Sequence, residues 1–157
     1  MTHLDETGAV RMVDVGEKQE TRRSAVAEGF VIMSESLLQK VMSGDMPKGD
    51  VLAVARVAGI TGAKRTPDLI PLCHPIPITG VDIQIDRGGH GIRIRATVTT
   101  TGRTGVEMEA MTAVSAAALT VYDMVKSAER GVTIESVRLL EKSGGRSGRW
   151  QRSEIVD

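Results

Sequence analysis

Apolar and polar positions alternate along the chain in blocks that predict a strand, two helices, a proline-rich stretch, a two-strand hairpin, a long helix and a last strand. Residues 24–33 alternate loosely and are rich in small and branched side chains, which predicts a strand. Ser34 is placed to cap a short helix over 35–42 that stops at Ser43-Gly44. Pro47-Lys48-Gly49-Asp50 forms a loop, and Asp50 caps a second helix over 51–63. Val51, Leu52, Val54, Ala55, Val57 and Ala58 leave Arg56 as the polar exception there, so this helix is expected to be largely buried.

Pro67, Pro71, Pro75 and Pro77 crowd residues 64–77 and predict an irregular, ordered loop, because proline fits neither helix interiors nor central strands. Val81, Ile83 and Ile85 alternate with Asp82, Gln84 and Asp86, and Ile92, Ile94, Ala96 and Val98 repeat the pattern. With Arg87-Gly88-Gly89-His90-Gly91 as the turn, these are antiparallel neighbours with one solvated face. Thr104-Gly105-Val106-Glu107 fits a capping box ahead of a helix running to about residue 128. Residues 132–141 predict the last strand, followed by a glycine-rich basic tail from Lys142 to Trp150. The order β-α-α-β-β-α-β suggests an α+β, ferredoxin-like sandwich with helices on one face of an antiparallel sheet. The expected organisation is a polar arm over 1–22, a single domain over 23–150 and a tail over 151–157.

Composition narrows the function classes. Twenty basic and 20 acidic residues cancel among 157, which argues against a general nucleic-acid binder. Phe30, Tyr122 and Trp150 are the only Phe, Tyr or Trp side chains, too few for base stacking, and so few that core area is expected to come partly from contacts between subunits. Cys73 alone can form neither an intrachain disulfide nor a cysteine-ligated cluster, which fits a reducing compartment. No apolar run has the length of a membrane span and the acidic start lacks a signal-peptide core, so a soluble cytoplasmic protein is expected.

The residues that could carry chemistry lie in four places. Asp123 and Lys126 are three apart on the long helix and share a face, either as a surface ion pair or as an acid/base pair against Val121, Tyr122, Met124 and Val125. Glu107 and Glu109 stand at the other end, and Glu107 has the alternative of completing the capping box. At 1.5 Å per residue, Glu109 and Asp123 are roughly 21 Å apart along the axis, too far for one small substrate to touch both in one chain. If both ends work, an antiparallel second copy must meet this helix, and Ala110, Ala113, Ala116, Ala117 and Ala118 permit close approach. Lys48, Lys64-Arg65 and the Lys142–Arg149 run are candidate anion contacts or solvated cations. Cys73 and His74 are adjacent, and His3 and His90 add no ligand spacing, so no metal site is expected. His74 is better read as a polar contact to a substrate.

The stretch Lys64-Arg65-Thr66-Pro67-Asp68-Leu69-Ile70-Pro71-Leu72-Cys73-His74-Pro75 resembles the signature loop of the cyclic pyranopterin monophosphate synthases, the protein C family of molybdenum cofactor biosynthesis. The likeness continues through Met12-Val13-Asp14-Val15, Pro47-Lys48-Gly49-Asp50, Gly105-Val106-Glu107-Met108-Glu109-Ala110, Leu119 to Lys126 and Leu140 to Gly145. The resemblance implies a homohexamer, a trimer of dimers with sites at the dimer interface. It implies a lyase that turns 3′,8-cyclo-7,8-dihydro-GTP, made by a radical GTP cyclase, into cyclic pyranopterin monophosphate (the molybdopterin precursor) and pyrophosphate. By motif position it implies Asp123, Lys48 and Lys126 as catalytic, and Leu72, Cys73, His74, Glu107, Met108, Glu109, Lys64 and Lys142 as substrate-binding. No bound cofactor is required; a divalent cation held with the triphosphate stays open. The rival reading is a non-catalytic ferredoxin-like binding or scaffolding module.

Overall fold

The structure, a computed structural model, describes Leu4, residues 6–146 and residues 148–153. Expectations for His3, and for the outermost parts of the arm and tail, lie outside the described residues. The elements run β1 (Thr21–Ile32), α1 (Glu35–Ser43), α2 (Val51–Lys64), α3 (Thr66–Leu69), β2 (Ile78–Gly88), β3 (Gly91–Gly102), α4 (Glu107–Val125), β4 (Thr133–Ser143) and β5 (Trp150–Gln151). The sheet order is β2-β3-β1-β4-β5, with every pairing antiparallel. Without β5 and the one-turn α3 this is the β-α-α-β-β-α-β order expected from the sequence, a ferredoxin-like arrangement with α2 and α4 as its two main helices.

One face of the sheet carries the core. Ala25, Ala27 and Val31 of β1 alternate onto that face with Ile92, Ile94, Ala96 and Val98 of β3, all fully buried. Gly29 belongs to the same row because α4 lies so close: a Cβ there would come within 2.8 Å of Val114 Cγ1. Between them Glu28 points to the opposite face, where Arg138 donates to its Oε1 and the Arg95 guanidinium approaches its Oε2. A buried carboxylate on a sheet needs such partners, since unpaired it would be costly.

Local chemistry explains the helix ends. Ser34 Oγ accepts from Leu37 N–H, and Gly44 closes α1 in the left-handed conformation, φ 76°. Asp50 Oδ1 accepts from Ala53 N–H at 2.9 Å. The packing of α2 on α4 depends on glycine: a Cβ on Gly62 would sit 2.6 Å from Ala116 Cβ.

Five expectations are corrected. α2 is not buried all round: Val54 and Val57 are 46% and 64% exposed, because α4 and the sheet cover only one side. The proline-rich stretch contains a one-turn helix, α3, with Pro67 at its start, where a missing N–H costs nothing. No capping box forms at α4: Val106 is the cap residue without a side-chain hydrogen bond, and Glu107 pairs with Lys142 instead. α4 ends at Val125, three residues earlier than the pattern predicts. Finally, Lys142 and Ser143 belong to β4, and the glycine-rich run turns back so that Trp150 and Gln151 pair with it as β5.

Candidate active site

Two groups of site residues lie at opposite ends of α4. At its start, a cleft of about 390 Å³ is lined by Leu72, Cys73, His74 and Ile76 from one side and Thr104, Gly105, Glu107, Met108 and Glu109 from another. Val13, Val15 and Lys18 of the arm supply a third wall. Six of the predicted binding residues therefore meet in one place: Leu72, Cys73, His74, Glu107, Met108 and Glu109. Lys142 joins them through its Nζ, 3.0 Å from Glu107 Oε1. Lys64 does not line the cleft; it ends α2 with an exposed side chain, separated from Leu72 by α3.

The two carboxylates at this end differ sharply. Glu109 is 2% exposed, and burial, with a further push from the Glu107 charge, moves its pKa above the usual carboxylate value. Such a group holds a proton more readily than an ordinary glutamate and can donate it. Cys73 has its thiol pKa raised, first by burial and then by the Glu109 charge. It remains a thiol and is no activated nucleophile.

The cleft continues into a wider recess of about 710 Å³ that shares Lys18, Thr104 and Gly105 and adds Arg23, Arg103 and Arg146. Arg23 is partly committed: its Nε donates to Gly102 O at 2.9 Å. It also packs against Gly144 and Gly145, whose positive φ of 96° and 74° lets the chain turn over it without a Cβ. The sequence did not mark Lys18, Arg23 and Arg103, and it marked Thr104 only as a helix cap, not as a site residue. The available signal was the Asp14-Val15-Gly16 turn, which shows that the arm is folded: Gly16 N–H donates to Asp14 Oδ1 at 2.7 Å.

At the far end of α4, Lys126 Nζ donates to Asp123 Oδ1 at 2.7 Å. Lys48 Nζ, from the loop before α2, donates to the backbone O of Asp123 at 2.9 Å and lies 3.7 Å from Oδ2. The structure thus brings the three predicted catalytic residues together. The hydrogen bond and charge of Lys126, with the charge of Lys48, hold the Asp123 pKa below its usual value. Lys126 is raised in turn by its hydrogen bond to Asp123. Two ammonium groups on one exposed carboxylate leave a net positive charge open to solvent, suited to phosphate oxygens and to proton transfer. Among the described residues no cluster of three or more His, Cys, Asp or Glu is arranged to hold a metal ion, and no helix is long and apolar enough to cross a membrane.

A family model described as the MoaC family matches residues 12–145. A protein of Roseiflexus castenholzii is 61% identical over 150 residues, covering 94% of this chain and 95% of its own. One from Thermomicrobium roseum is 58% identical, covering 98% and 94%, and one from Heliobacterium modesticaldum is 54% identical, covering 98% of both. Each of the three is named cyclic pyranopterin monophosphate synthase.

Proposed function

The chain belongs to the MoaC family, and on that premise we propose that it forms cyclic pyranopterin monophosphate in molybdenum cofactor biosynthesis, converting 3′,8-cyclo-7,8-dihydro-GTP with release of pyrophosphate. The observation that carries this reading is the extent of the family match, which takes in the arm wall of the cleft, the Lys48–Asp123–Lys126 group and Lys142 together. A non-catalytic binding or scaffolding role is not favoured.

The chemistry asks for two kinds of environment. Rearranging the purine-derived ring needs groups that give and take protons, and the buried Glu109 beside Glu107 and Lys142 offers them. Closing the cyclic phosphate expels pyrophosphate, and cations must meet the charge that develops on the leaving group. Lys48 and Lys126 are such cations, with Asp123 between them to accept or return a proton. The basic recess beside the cleft, with Lys18, Arg103 and Arg146, suits the phosphate chain. A divalent cation would travel with that triphosphate rather than with a protein site.

Both groups serve one substrate only if two copies meet. Glu109 and Asp123 are 14 positions apart on the helix, roughly 21 Å. The outer surfaces of α2 and α4 expose Val57 at 64% and Leu119 at 62%, apolar area that a second copy would cover. The assembly is read as a homohexamer built from three such dimers. The substrate comes from a radical GTP cyclase, and the compartment is the cytoplasm, where a lone thiol stays reduced. Pyrophosphate release by the purified chain given the cyclic dihydro-GTP tests the proposal. Near-normal turnover of both Lys48→Ala and Lys126→Ala would contradict the assignment of the lysines.

A further inference from the structure

The end of β1 pairs with the start of β4, Ile32 opposite Thr133. Two segments meet at that corner: the turn that leaves α4, and the chain that leaves β1 for α1. Glu129 and Ser34 join them. Ser34 N–H donates to Glu129 Oε1 at 3.1 Å, and Ser34 Oγ donates to Oε2. One carboxylate thus takes both donors of a residue 95 positions earlier. Because the hydroxyl proton goes to the carboxylate, the lone pairs of Oγ are left to accept, and Leu37 N–H bonds to Oγ at 3.4 Å. Glu129 therefore orients the cap of α1 and sets a negative charge at its N-terminal end, where the helix dipole favours one.

Each side of this contact leads to a residue of the Lys48–Asp123–Lys126 group. On the Glu129 side, Ala128 and Glu129 N–H both donate to Val125 O, and Lys126 N–H donates to Tyr122 O. The turn 126–129 is folded back on the last turn of α4, and Lys126 rides in it. On the Ser34 side, Leu37, Leu38 and Val41 form the buried face of α1, and Asp45 N–H donates to Lys40 O just past its end. Lys48 follows three residues later, between the buried Met46 and the α2 cap Asp50. Lys48 and Lys126 thus reach Asp123 from two segments, and the Ser34–Glu129 bonds join those segments a second time. Both lysine side chains are about half exposed, 45% and 51%. Holding such long side chains in one geometry costs entropy, so the placement of their backbones decides how often they meet the carboxylate.

We propose that Glu129 is a positioning residue for the reaction: by holding Ser34 it fixes the Lys126 turn and the Lys48 segment against each other, and so keeps both lysines on Asp123. This rests on reading that group as catalytic. Glu129 acts through placement and not through its charge, since the charges that act on Asp123 are those of Lys126 and Lys48. The role needs an acceptor for the Ser34 donors. A glutamine amide oxygen supplies one, and alanine does not.

The test combines steady-state kinetics of the full chain on the cyclic dihydro-GTP with the Asp123 carboxyl titration followed by carbon NMR. Glu129→Ala should lower kcat about tenfold, with KM changed less than about threefold. Its Asp123 titration should move upward, because the lysines spend less time on the carboxylate. Glu129→Gln should keep kcat within about threefold of the unaltered chain and leave the titration in place. Ser34→Ala removes the hydroxyl half of the contact and should move both readouts the same way by less, so it decides the matter if Glu129→Ala does not fold. Added to Glu129→Ala, it should deepen the loss of kcat no further. A lower urea midpoint in Glu129→Ala with kcat and the Asp123 titration unchanged would make the residue a support of the fold alone and overturns the proposal. So does a loss of kcat in Glu129→Gln as deep as in Glu129→Ala, which would mean that the charge itself acts on the reaction. If the unaltered chain turns over nothing, the functional reading fails, while the titration still decides whether Glu129 places the lysines.

Discussion

Glu107 Oε1 and Lys142 Nζ lie 3.0 Å apart, joining the first turn of α4 to the end of β4 at the mouth of the cleft. Each side chain is only 29% exposed, so the pair is partly sheltered from screening by solvent. It takes Glu107 away from the helix cap that its spacing from Thr104 suggests. Glu107→Gln should lower kcat/KM by about 10- to 100-fold, because a partly desolvated charge facing substrate is lost. Its effect on stability should be small, about 1 kcal/mol or less, as for other ion pairs that keep solvent contact. Kinetics and urea unfolding of the same variant separate the two.

Glu109 is predicted to trade stability for function. Its folded-state pKa lies above the unfolded value, first because of burial and then because of Glu107. Ionising it therefore costs more in the folded chain. The group's favourable contribution is present below the unfolded pKa, about 4.3, and is lost as pH rises through the folded value. At pH 7 Glu109→Gln should raise the thermal midpoint by about 3 °C. The same substitution should lower turnover strongly, since an amide cannot exchange a proton with the substrate. A lower midpoint at pH 7 would show that the carboxylate is not strained by its surroundings.

Asp123 behaves in the opposite sense. Lys126, through its hydrogen bond and charge, and Lys48 through its charge, depress the Asp123 pKa below its unfolded value. The stabilising effect is then present above the unfolded pKa, about 3.9, and is lost as pH falls through the folded value. Lys126→Met should move the carboxyl titration upward toward the ordinary aspartate range, with Lys48→Met moving it less. Carbon NMR of the Asp123 carboxyl reads this directly. An unmoved titration in Lys126→Met would mean that the 2.7 Å contact does not persist in solution.

The close approach of α2 to α4 makes a packing prediction. Glycine within a helix normally costs about 1 kcal/mol relative to alanine, so Gly→Ala should stabilise an ordinary helix. At position 62 the new Cβ would stand 2.6 Å from Ala116 Cβ and 3.2 Å from Thr112 O. Neither neighbour is the end of a flexible side chain. Gly62→Ala should destabilise by about 1–3 kcal/mol, and shaving the obstacle with Ala116→Gly should recover part of the loss. Denaturant midpoints of the single and double variants check this.

What the sequence made legible follows the reach of each interaction. Ser34 and Gly44 bound α1 because their effects act within one turn, and the β2–β3 hairpin follows from alternation around Gly88, Gly89 and Gly91. The capping box failed because a residue 35 positions away, Lys142, competes for Glu107. The two-sided apolarity of α2 does not reveal which side the domain covers. Val54 and Val57 stay exposed in one chain, and the same pattern supports a second copy. Likewise, two residue pairs suffice to turn the expected tail into β5, a pairing without a periodic signal. In the site, residue types and family motifs brought out both clusters, and Val13 and Val15 stood within a motif, but their place as a wall of the cleft was not visible. One link of that wall to the domain is a ring nitrogen of His74 meeting the backbone oxygen of Val13, and a backbone oxygen leaves no mark on sequence.

The central claim is that one active site draws on two copies of the chain, the cleft end of α4 from one and the Lys48–Asp123–Lys126 end from the other. Subunit mixing tests it most directly. Asp123→Ala and Lys142→Ala are each expected to be inactive alone on 3′,8-cyclo-7,8-dihydro-GTP. When the two are unfolded together and refolded as a mixture, random pairing should restore about a quarter of the unaltered activity, because half the dimers are mixed and each holds one intact site. A mixture that forms mixed oligomers, by mass spectrometry, yet releases no more pyrophosphate than the separate variants would contradict the account.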